Sequence, residues 1–95
     1  MPYIKPEDRP TIDDHMKRLE QHLKTPGDVN YAISKLMNDI LRDRLVWRGK
    51  WGYADLNELI GALECAKLEL YRRVAAPYED GKILQNGDVY DCDKI

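Results

Sequence analysis

Apolar residues recur at helical spacing along most of this chain. Ile12, Met16, Leu19 and Leu23 form one series, and Val29, Ile33, Leu36, Met37, Ile40 and Leu41 form a second with a wider apolar face. A third series, Leu56, Leu59, Ile60, Leu63, Ala66, Leu70 and Val74, follows the helical period most closely, and Leu68 and Tyr71 broaden it. Recurrence at i, i+3, i+4 and i+7 puts such residues on one side of a helix. Three amphipathic helices are therefore expected.

Breaker and capping residues set the expected boundaries. Residues Met1 to Pro10 contain three prolines and should be extended, a strap that can lay Tyr3 and Ile4 on the body. The first helix should start at Thr11, with Asp13 and Asp14 near its positive end, and stop before Pro26. Thr25, Pro26 and Asp28 read as a second start: a capping hydroxyl, a first-turn proline and an acidic residue three positions on. That helix should reach about Leu45, followed by the connection VWRGKWGY. Asp55 and Glu58 have capping-box spacing, so the third helix should run from near Leu56 to about Ala76 and stop at Pro77. Beyond Pro77, Asn86 and Gly87 between short apolar groups suggest a two-residue hairpin, with an irregular tail as the competing reading. The expected fold is all-α: a compact bundle of three main helices in one domain spanning 1–95. It divides into an extended arm (1–10), a helical body (11–76) and a C-terminal hairpin or tail (77–95).

A chain of 95 residues supports one modest core and is near the size at which partner surfaces complete the burial, so a homo-oligomer is expected. Gly61 on the third helix would let another backbone approach closely. The formal charge of −2 leaves no electrostatic footprint for a nucleic-acid polymer or an anionic membrane. The start MPYIKPEDRP lacks the apolar stretch of a signal peptide, and no apolar run approaches bilayer length, which points to the cytoplasm. Cys65 and Cys92 do not form a CxxC pair; Cys65 reads as a small buried apolar residue and Cys92 as a free thiol.

No catalytic motif is recognisable. His15 and His22 lie about two helical turns apart, roughly 10 Å, too far to ligate one metal. Ser34 lacks a nucleophile elbow, Cys65 has no motif partner, and Glu58 and Glu64 fall on different helix faces. No cofactor is implied. The more suggestive group is Tyr71, Arg72 and Arg73 followed by Tyr78, because guanidinium groups fork onto phosphate and a tyrosine ring stacks on a base. The alternative is that the arginines pair with Glu69, Glu79 or Asp80 at the negative end of the third helix. Asn30, Tyr31 and Asn57 are further polar candidates for a cleft between helices or subunits. Trp47 and Trp51 flank Arg48 and Lys50 and either close one end of the core or stack a base.

Taken together, Met1 to Ile4, Pro26 to Tyr31, Asn57 to Gly61, Leu63 to Cys65, Lys67 to Arg73, Pro77 to Asp80 and Asn86 to Tyr90 form a specific pattern. In that pattern the chain resembles a family of small uncharacterised proteins from bacteria and their phages. The loop WRGKWG and the terminal DCDKI depart from it. The phage side of the resemblance implies a host-takeover or anti-defence factor, placed in the host cytoplasm if phage-encoded. Some factors of that kind are oligomeric sponges for nucleotide immune signals. The function expected is non-catalytic, homo-oligomeric binding of a small anionic ligand, a cyclic or ADP-ribose-type nucleotide. The ligand would be held by Arg72, Arg73, Tyr71, Tyr78, Asn30, Tyr31 and Asn57. The alternative is an adaptor or inhibitor that docks a protein partner.

Overall fold

Two of the described helices begin where an aspartate carboxylate accepts from free backbone amide groups. In a computed structural model, which describes residues 1–91, a 3-10 turn at Pro6–Asp8 leads into α1 (Pro10–Glu20) and then α2 (Pro26–Arg48). After a short connection, α3 (Tyr53–Leu70) passes through a π-helical segment (Tyr71–Ala75) directly into α4 (Ala76–Asn86). The class is all-α, and three main helices stand if the continuous rod from Tyr53 to Asn86 is counted as one.

At the start of α2 the capping box forms as expected. The Asp28 amide donates to Thr25 Oγ1 at 3.1 Å, and Asp28 Oδ2 accepts from the Thr25 amide at 3.0 Å and from the Lys24 amide at 3.0 Å. These backbone donors hold the Asp28 carboxyl below the usual carboxylate range. The helix continues past Leu45 to Arg48 and ends at Gly49, whose φ of 75° suits a residue without a Cβ. α1 starts one residue earlier than expected, with Pro10 in its first turn, and ends at Glu20.

Two expectations about the third helix are corrected. Its start lies at Gly52, not at an Asp55–Glu58 box: Asp55 Oδ2 accepts from the Gly52 amide at 2.9 Å. Pro77 does not stop it, and the residues expected to form a hairpin are helical to Asn86. Proline cannot donate to the carbonyl four residues back, and its ring crowds that carbonyl. The helix widens just before Pro77, where the Ala76 amide reaches the Tyr71 carbonyl five residues back, and this admits the ring without breaking the rod. Asn86–Gly87 ends a helix instead of turning a hairpin: the Gly87 amide donates to the Ile83 carbonyl at 2.9 Å, and Gly87 has φ 89°.

The helices do not close into the compact bundle expected. The molecule measures 56 × 32 × 30 Å with a radius of gyration of 18.3 Å, where a compact domain of this length has about 12 Å. The rod from Tyr53 to Asn86, about 50 Å long at 1.5 Å per residue, sets the long axis. Among the described residues Leu59 is the one buried apolar side chain, because α2 covers α3 only near their shared corner. Cys65, expected to be buried, is exposed for the same reason. Trp47 and Trp51 do not cap a core either; Trp47 is 87 % exposed at the end of α2. The Cys92 thiol lies outside the described residues.

Candidate functional site

The most buried polar cluster sits at the corner between α2 and α3. Arg44 and Arg48, one turn apart on α2, both reach the Asp55 carboxylate in the first turn of α3. Arg44 Nη1 donates to Asp55 Oδ1 at 3.0 Å and to Glu58 Oε2 at 2.9 Å, while Nη2 donates to Glu58 Oε1 at 3.1 Å. Asp55 is the one buried charged residue among those described. Its pKa is held below the usual carboxylate range, first by the Gly52 amide and then by the Arg48 guanidinium. With every oxygen engaged, Asp55 locks two helices together and offers nothing to a ligand. Two arginines four residues apart, followed by an aspartate in the next helix's first turn, were the sequence signal for this clamp.

The second cluster contains one of the candidate arginines, Arg72. Tyr3 from the N-terminal strap donates its hydroxyl to Glu69 Oε2 at 2.5 Å. Arg72 donates to the same carboxylate through Nε at 3.2 Å and through Nη2 at 3.0 Å to both oxygens. Arg72 and then Tyr3 hold the Glu69 carboxyl below its ordinary range, and Glu69 in turn raises the Arg72 guanidinium. Arg72 therefore follows the ion-pair alternative. Arg73, the next residue of the π-helical segment, makes no ion pair among the described residues.

Tyr71 is more than half exposed and opens onto a groove of 590 Å³ along α4, closed on its other side by the tail from Gly87 to Tyr90. Glu79, Asp80, Asp88 and Lys82 supply the charged lining, an excess of carboxylates that does not favour an anion within the groove itself. Tyr78 carries the Lys82 ammonium 5.5 Å from its ring centroid. Asn30 accepts from Ser34 Oγ at 3.3 Å on α2. Tyr31 lines a different groove, with Leu19 of α1 and His22 just beyond that helix. Asn57 lies fifteen positions before Arg72 on one continuous helical rod, about 22 Å away. Within one chain Tyr71, Arg72 and Arg73 are thus consecutive positions of one helical turn whose side chains project in different directions, and Asn57 lies apart from them.

The family-model match runs from residue 1 to residue 89, nearly the whole chain. The chain belongs to the DUF6899 family, a domain of unknown function. No curated protein and no solved structure matches it. The DUF6899 match takes in the Tyr3 strap, the corner clamp and the π-helical segment, and it ends inside the tail that borders the α4 groove. None of the described helices is long and apolar enough to cross a membrane.

Proposed function

We propose that this protein is a non-catalytic, homo-oligomeric binding protein for a small anionic ligand of nucleotide type. The supporting observation is the state of the π-helical segment, where Arg73 makes no ion pair among the described residues and the Tyr71 ring is exposed, while Arg72 is occupied by Glu69. A guanidinium can fork onto a phosphate, and an exposed tyrosine ring of the same segment or of a second subunit can stack on the base. A π-helical turn interrupting an α-helix is also a frequent mark of functional positions. Arg72 then acts as a positioning residue, tying the strap to the segment through Glu69. Asn30, Tyr31 and Asn57 join the site only if a second subunit supplies them. In a phage setting, such a protein serves as an anti-defence sponge that holds a nucleotide-derived immune signal without turning it over.

Native mass spectrometry against cyclic and ADP-ribose-type nucleotides tests this reading. Bound mass on the intact assembly, recovered as unaltered nucleotide after heating, is the expected result. Arg73→Ala should abolish that bound mass without moving the thermal midpoint, whereas Arg72→Ala should lower the midpoint by leaving Glu69 without its cation. Absence of bound mass across the panel sinks the proposal for those ligands.

The second reading is a protein-interaction adaptor, favoured by the exposed Val89 and Tyr90 beside the α4 groove. Truncation after Asn86 separates the two: loss of a protein partner with retained nucleotide binding selects the adaptor.

A further inference from the structure

The surface of the single chain is too large for a molecule that stands alone. It exposes 8681 Å², whereas a folded monomer of 11.1 kDa exposes roughly 5,700 Å² by the usual scaling of surface with mass. Open helix faces contribute to the excess. On α2, Ile33 is 43 % and Leu36 53 % exposed; on the α3–α4 rod, Leu70 is 63 % and Val74 59 % exposed. These side chains lie on the same apolar stripes as Leu59, which is buried, and Leu56 and Ile40, which are half-buried near the corner clamp.

We propose that a second copy of this chain covers these stripes, packing its own α2 and α3–α4 rod against Ile33, Leu36, Leu70 and Val74. The proposal rests on the homo-oligomeric half of the reading above and supplies its interface. The size of the excess carries it. Obligate homodimers remove about 1,000–2,500 Å² from each subunit, a loss that the roughly 3,000 Å² in excess here accommodates. The excess is also spread over α2 and the rod instead of forming one patch, so the chain needs its partner in order to hold its helices at all. Conformational entropy of roughly 1–2 kcal/mol per ordered residue is not offset by a single buried leucine. Another copy is the partner present whenever the chain is made. A formal charge of −2 puts little repulsion between two copies.

Sedimentation equilibrium and far-UV circular dichroism of the full chain, over matched dilutions, test the interface with no nucleotide present. The expected mass is an integral multiple, two or more, of 11.1 kDa, with a thermal midpoint that rises with protein concentration. Leu70→Glu and Ile33→Glu should each raise the concentration at which the assembly dissociates by roughly tenfold or more, since each would bury a carboxylate without a partner. Should either unfold the chain, Leu70→Ala provides a milder form with the same direction of shift and a retained helical signal. Lys17→Glu on α1 should leave the mass unchanged. A monomer of full helicity at every concentration overturns the proposal, and so does an assembly indifferent to Leu70→Glu and Ile33→Glu. An assembly that forms as expected yet takes up no nucleotide overturns only the ligand reading.

Discussion

Asp55 shows how much of this molecule depends on single polar side chains. It starts α3 by accepting from the Gly52 amide and joins α3 to α2 by accepting from Arg44 and Arg48. Asp55→Asn keeps the shape but replaces a charge-assisted pairing with two guanidinium groups by a neutral one. The thermal midpoint should fall by several degrees, and Arg48→Ala should fall less, because Arg44 still serves both Asp55 and Glu58. A midpoint unchanged in Asp55→Asn by differential scanning calorimetry contradicts the clamp. Thr25→Ala removes only the acceptor for the Asp28 amide, and the expected cost is about 1 kcal/mol in urea unfolding. That smaller effect separates a local cap from a link between helices.

Among the elements, the third helix is where sequence and structure part most instructively. Its apolar period from Leu56 to Val74 was legible because helix periodicity survives whatever covers the face. Its continuation through Pro77 was not, since proline reads as a stop unless the turn before it is allowed to widen. The same misreading turned Asn86 and Gly87 from a helix end into a hairpin signal. The candidate residues Tyr71, Arg72 and Arg73 were visible as chemistry, and so was Glu69, three positions before Arg72, as an ion-pair partner; the strap bringing Tyr3 to the same carboxylate was not. Asn57 was expected in that group because spacing along a sequence does not reveal how far a straight rod carries a residue. Pro77→Ala restores an amide donor and removes the crowding, so the rod should revert toward regular α-helix and gain thermal stability. If the π-helical turn serves binding, the same variant should lose bound nucleotide while becoming more stable. A less stable Pro77→Ala contradicts the account of proline as the cause of the widened turn.

At the scale of the whole molecule, acid should dismantle the fold from several places together. Asp28 at the α2 cap, Asp39 beside Lys35 and Arg42, Asp55 at the corner and Glu69 under the strap all have pKa values below the ordinary carboxylate range. A carboxyl that releases its proton more readily folded than unfolded adds stability above its unfolded value, about 4 for such groups. That contribution disappears as pH falls through the lower folded values. Thermal midpoints should therefore hold from pH 7 to about 5 and decline steeply below about 4. Asp55→Asn and Glu69→Gln should each flatten the decline, having lost one of the linked protons. These four groups are shared between α2 (Asp28 and Asp39) and α3 (Asp55 and Glu69), and among the described residues only Leu59 is a buried apolar residue, so the acid transition should also disperse any assembly. Helicity and sedimenting mass should fall over the same pH interval. Loss of mass at a higher pH than loss of helicity would show instead that the single chain holds its helices without a partner.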